Sequence, residues 1–153
     1  MKKKLIAFGI AFLIVGVCWL IDYLISLTYD FEIVSMEPYP GISDGATEMT
    51  ITVRLTRKDG TPVEGHDVNI LSLDGGTYKA YRQRTDSDGI VQFVFIPFLS
   101  TAIRPAQDVR MRVRDESNSI FIAVPASHEF VVEVEEPEDD HESGAVTSDS
   151  FFG

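Results

Sequence analysis

Acid pairs, histidines and arginines are the side chains of this chain that could carry chemistry. Asp86 and Asp88 alternate ahead of Gly89 in TDSDG, the spacing that begins a calcium loop, where alternate carboxylates converge on a cation. Such a site needs about six to eight oxygen ligands, and the third acid and later glutamate are missing at their offsets, so residues 85–89 read as a turn. Asp59 in KDG reads the same way. His66, His128 and His141 stand far apart, none in an H-x-x-x-H spacing. A copper or zinc site would need the fold to bring His66 and His128 together, and capped or surface histidines are the simpler reading. No serine lies in G-x-S-x-G and no glycine-rich loop opens a helix, so acyl transfer and phosphate binding have no motif here. The abundant carboxylates single out no acid–base pair. The expectation is a chain with no catalytic residue, no metal and no cofactor.

The elements that must position these side chains begin at the N-terminus. Lys2, Lys3 and Lys4 stand before an apolar run in which Asp22 is the one acid. At about 1.5 Å rise per residue, a helix over residues 5–27 is about 35 Å long, enough to cross a hydrocarbon core of about 30 Å with some tilt. The basic start, residues 1–4, holds its end in the cytoplasm, which places the rest of the chain outside the cytoplasmic membrane. A cleaved signal shares the basic start, but this run exceeds an h-region of roughly 7–15 residues and no small-x-small site follows. An uncleaved signal anchor is therefore expected. Trp19 and Tyr23, with Asp22 between them, suit the outer interface, where the rings prefer the headgroup level and the carboxylate can reach water. Gly9 and Gly16, seven apart on similar faces, would let another helix approach, although packing against lipid is equally allowed. Cys18, the only cysteine, follows valine and precedes more apolar residues, unlike a lipoprotein cysteine, and it cannot close an intrachain disulfide.

Charge limits the partners. The formal net charge is −11, and residues 133–153 hold eight acids with no lysine or arginine, a balance that repels nucleic acid. Arg110, Arg112 and Arg114 alternate with Val109, Met111 and Val113, so one strand turns three arginines to one face and three apolar side chains to the other. A solvated face opposite acids on a neighbouring strand accounts for them.

Between the helix and the tail lie roughly 105 residues, residues 30–134, the size of one sandwich domain. Short alternating segments recur there between turn signals. In MTITVRL, Met49, Ile51, Val53 and Leu55 fall on one face. In IVQFVFIPF either register is allowed, and the set Val91, Phe93 and Phe95 buries more apolar surface, at about 1.5–3 kcal/mol per fully buried large side chain. FEIVSM, HDVNILSL, TYKAYRQR, VRMRVR, SIFIAV and EFVVEV complete about eight candidate strands, with MEPYPGISDGA a loop and the faces of TYKAYRQR unassigned. The fold class expected is an all-β antiparallel sandwich behind one transmembrane helix.

KDGTPVEGHDVNIL and RTDSDGIVQFVF carry a resemblance. Residues 50–134 resemble bacterial immunoglobulin-like domains of the invasin and intimin type, with their D-G-x-P-V turn and T-D-x-x-G turn. Carboxypeptidase-regulatory and transthyretin-like sandwiches are similar in the same two turns. The resemblance implies an immunoglobulin-like β-sandwich and a surface-exposed structural or adhesive module, usually in tandem. A single copy close to its anchor has short reach and suits a subunit docked on a membrane complex better than an adhesin.

The tail, residues 135–153, is acidic with few apolar residues and is expected to be disordered. Phe151 and Phe152 at its tip are candidates for docking to a partner. The functional expectation is a non-catalytic, membrane-anchored accessory subunit whose partners are the membrane and other membrane or envelope proteins. The alternative is a cell-surface adhesion or ligand-binding module.

Overall fold

The computed structural model describes residues 2–138. Phe151, Phe152, His141 and most of the acidic tail lie outside the described residues, and with them the expectations of disorder and docking.

The apolar run forms helix α1, Lys2–Ser26. Two residues later the chain enters β1, Tyr29–Glu37, which pairs antiparallel with β3, Met49–Arg57. β3 continues the sheet to β7, Ile90–Ile96, and β7 to β5, Thr77–Tyr78. A second sheet runs β6, Arg82–Arg84; β4, Asp67–Ser72; β8, Val109–Asp115; and β9, Ser127–Val132. A short parallel pair joins β10, Val134–Glu135, to β2, Gly41–Ile42. Taking β1, β3, β4, β5, β7, β8 and β9 as A to G, one sheet is A-B-E-D and the other contains C-F-G, the order of an immunoglobulin constant-type sandwich.

The period-two pattern builds the core as expected. Met49, Ile51, Val53 and Leu55 face inward from β3, opposite Val91, Phe93 and Phe95 of β7, in a register that pairs Ile51 with Phe93. Val68, Ile70, Val109, Met111, Val113 and Val132 meet them from the other sheet. Phe93 and Phe95 are both fully buried, which fixes the inward set of β7.

Three segments depart from expectation. SIFIAV forms no strand: residues 119–124 are a loop whose backbone donors point at the helix. TYKAYRQR is not one strand but two. Tyr78 stays on β7 while residues 82–84 pair with β4, so the segment crosses from sheet to sheet and has no single alternation. EFVVEV breaks at Glu133, whose carbonyl accepts the N–H of Gly41 at 2.9 Å, and β10 leaves β9's sheet to pair with β2 inside the loop MEPYPGISDGA. The described residues therefore hold ten strands where eight were expected.

Candidate functional site

Ile6–Ser26, 21 residues, is long and apolar enough to cross a membrane. Its end is joined tightly to the sandwich. Ser26 Oγ and Thr28 Oγ1 donate to the carbonyls of Tyr23 and Ile25, at 2.8 and 2.7 Å, and so occupy acceptors that the last turn leaves free. The Thr28 carbonyl then accepts the N–H of Lys58 at 2.9 Å, which ties the exit of the helix to the turn after β3.

Asp22 is the centre of this junction. Its side chain is fully covered, at 0% exposure, whereas its helix neighbours Ile21 and Tyr23 are exposed and Cys18, one turn earlier, is only partly covered. Oδ1 accepts the backbone N–H of Ile120 at 2.8 Å, and Oδ2 accepts that of Phe121 at 2.9 Å as well as that of Ile122. Three successive amides thus form a concave nest around one carboxylate. The neck of the loop is braced so that these donors face the helix: Asn118 bonds the backbone of Val124 and Ala126, and Ser119 Oγ accepts the Val124 N–H at 2.9 Å. The expected contact of Asp22 with interfacial water is replaced by this nest, because a loop 98–100 residues away supplies the donors first. Sequence reading recognised the odd acid but missed its partner. The Asn and Ser residues of DESNS beside a five-residue apolar run closed by Pro125 were the available signal of a braced loop instead of a strand.

Of the other helix candidates, Tyr23 borders a groove it shares with Val124, Pro125 and Ala126, and the rest lie farther back along the helix. Trp19 and Tyr23, one turn apart, stack with ring centroids 5.4 Å apart and planes within 7°. A side chain added at Gly9 or Gly16 would meet nothing within 4 Å, so both present open surface. Cys18, one turn before Asp22 on its face, is partly covered.

The polar side chains singled out for chemistry are occupied in structural contacts. Asp86 Oδ1 accepts the N–H groups of Asp88 and Ile90 at 2.9 and 2.8 Å, and Asp59 Oδ1 that of Thr61 at 2.9 Å, each a turn held by its own aspartate. His66 Nδ1 lies 2.7 Å from Oδ2 of the fully buried Asp115, whose Oδ1 accepts the Ser117 N–H at 2.9 Å. His128 lies beside the Phe130 ring on β9. Among the described residues no three His, Cys, Asp or Glu stand together as a metal site.

The expected pairing of the β8 arginines with acids on a neighbouring strand holds for Arg112 alone; Arg110 pairs with an acid in the loop after β4, and Arg114 faces neutral residues. Arg110 meets Asp74 in a two-point contact, Nε–Oδ2 at 2.9 Å and Nη2–Oδ1 at 2.8 Å, while its own N–H donates to the same carboxylate. That guanidinium holds the Asp74 carboxyl down to about 2. Arg112 meets Glu129 on β9, with Nε–Oε1 at 2.8 Å, and Arg114 lies between Asn69 and Ser127.

The end away from the helix is built by residues 38–48 and 97–108. Arg104 stacks on Phe98, 3.8 Å from the ring centroid, and donates to the Asp74 carbonyl at 2.8 Å. This fixes the turn 101–104 and leaves Ile103 97% exposed, with Leu99 and Tyr39 also exposed nearby.

No protein-family model matches the chain, and no curated protein matches it. Among solved structures, it is similar to the D0-D1 domain of Intimin, at 16% identity and TM-score 0.46 over 70% of this chain and 50% of that one. It is also similar to the D00-D0 domain of Intimin, at 12% identity and TM-score 0.45 over 67% of this chain and 45% of that one. A third similarity is to the C-terminal 282-residue fragment of intimin in complex with the intimin-binding domain of the translocated intimin receptor, at 17% identity and TM-score 0.47, over 67% of this chain and 33% of that one. The chain spans half or less of the length of these structures.

Proposed function

We propose that this chain is a single-pass membrane protein with its N-terminus in the cytoplasm, whose extracytoplasmic sandwich serves, without catalysis, as an accessory subunit of a membrane or envelope assembly. The observation that carries the reading is the Asp22 nest. It makes the helix part of the folded domain, which supports a retained anchor over a cleaved signal, because removal of the helix would strip three loop amides of their acceptor. It also holds the sandwich against the helix end. Strands of seven residues at about 3.3 Å each give a domain roughly 25 Å tall, so its far loops stand close to the membrane. Short reach and fixed orientation suit contact with neighbouring membrane proteins.

The rival reading is an exposed module that binds an external ligand, and Ile103 favours it, since a rigidly held turn presents that side chain to solvent. Extraction of the native protein in mild detergent, followed by size separation and mass spectrometry, separates the two. A defined larger species with stoichiometric companions is expected. Migration alone at monomer size would overturn the subunit reading in favour of the external ligand.

A further inference from the structure

The loop that Asp22 holds turns apolar side chains away from the protein. Ile120 is 68% and Phe121 58% exposed, next to each other and directly over the nest. Asp22 lies four residues before the end of α1, which at about 1.5 Å per residue puts the nest roughly 6 Å below the last helical residue. The apolar span itself, Ile6–Ser26, is about 32 Å long by the same rise and just fills a hydrocarbon core of about 30 Å. The nest therefore lies roughly 6 Å to the acyl side of the headgroup–acyl boundary, and two large exposed apolar side chains stand beside it.

Backbone outside a helix survives at such depth only where its polar groups are satisfied, and an acid in a spanning helix is costly unless it is paired. Here each solves the other's problem: one carboxylate takes three amides, and three amides take one carboxylate. Just beyond the helix end the exposed side chains turn polar, with Asp30 and Lys58 in one groove. Lys58, bonded through its N–H to Thr28 just beyond the helix, is exposed at headgroup level. The stacked pair Trp19 and Tyr23 lies on the helix at the same depth.

We propose that the loop 118–124 is a second membrane-inserted element: Ile120 and Phe121 enter the lipid of the leaflet on the sandwich's side, and Asp22 seals the loop backbone against the helix. The lipid is the occupant because the helix next to the loop already lies in it. The proposal rests on the reading of α1 as a retained anchor. Two points of insertion on one rigid body orient the sandwich, where a helix alone would leave it free to swing.

Trp19 is the only tryptophan, so a full-length chain carrying Trp19→Phe and Phe121→Trp reports from the loop alone, while the unaltered chain reports from the helix. Both are reconstituted in phosphatidylcholine–phosphatidylglycerol vesicles with brominated acyl chains, with Ile120→Trp in the Trp19→Phe background as a second loop position. The expected result is that bromolipid removes most of the loop emission while aqueous iodide has little effect. Quenching of the loop by iodide but not by bromolipid, with Trp19 still quenched by bromolipid, would overturn the loop proposal and leave the anchor standing. If Trp19 also fails to respond to bromolipid, the anchor reading falls and the proposal with it. Shielding from both quenchers would place a second copy of the chain on the loop and overturn lipid as its occupant.

Discussion

Asp22, four residues before the end of the apolar helix, accepts the backbone N–H of Phe121 at 2.9 Å across 99 residues of sequence. With the flanking amides of Ile120 and Ile122 on the same carboxylate, this bond couples the helix to the loop before β9. Asp22→Ala removes the acceptor for all three donors. Hydrogen exchange of the full chain in detergent should show the amides of Ile120, Phe121 and Ile122 exchanging at least about tenfold faster, with the core of β3 and β7 unchanged. Equal protection in the variant would mean that the loop is held by Asn118 and Ser119 alone.

The same contact shows where sequence reading stops. MTITVRL and IVQFVFI were legible because a half-buried strand repeats every two residues, and the size of Phe93 and Phe95 chose between the two registers. SIFIAV has strand composition too, but the fate of its donors is set by Asp22, far away in the chain, and no local period records that. TYKAYRQR misled for a related reason. A segment that changes sheets obeys two face assignments in turn, and only Gly75 and Gly76 ahead of it, both at positive φ, hint at the crossing. Of the candidate site, the odd acid and the aromatic pair were legible, while the nest was not.

The two aspartate–glycine turns look alike in sequence but differ in surroundings. Gly60 and Gly89 both hold positive φ, +85° and +72°. A Cβ on Gly60 meets nothing within 4 Å, whereas one on Gly89 would lie 2.4 Å from the Leu55 carbonyl oxygen and 3.0 Å from the Val63 nitrogen. Gly60→Ala should therefore cost about 1 kcal/mol, the backbone penalty alone. Gly89→Ala adds a clash with backbone that cannot move aside and should cost about 3 kcal/mol or more. Denaturant titration of both variants measures the gap, and equal costs would show that β3 shifts freely to make room.

Acid sensitivity should centre on Asp74. Its carboxyl, ordinarily near 3.8, is depressed to about 2 by the Arg110 guanidinium and the Arg110 N–H. The contribution of a depressed acid is complete above its ordinary value, declines as pH falls, and is gone below the folded-state value. The melting temperature of the full chain should fall between about pH 4 and pH 2, and less steeply in Asp74→Asn. Because Arg110 is largely exposed, the effect is modest and shrinks further in high salt. Identical slopes in both proteins would assign the acid transition to other carboxylates, among them Asp67, which Arg84 and Arg82 also hold low.

Tyr78 offers a substitution that should improve the fold. Its ring packs on Phe95, with centroids 5.1 Å apart, at the point where the chain leaves one sheet for the other. The hydroxyl is buried with it and has no hydrogen-bond partner among the described residues, and that burial pushes the phenol well above its ordinary range. A polar atom taken from water without a partner costs free energy, while the ring contributes its apolar contacts either way. Tyr78→Phe keeps the ring, removes the stranded oxygen, and should stabilise the chain by up to about 1 kcal/mol. The readout is the denaturation midpoint at unchanged denaturant slope. A loss of about 1 kcal/mol or more would show instead that the hydroxyl is bonded in solution, and would make this crossing a polar joint in place of a purely apolar one.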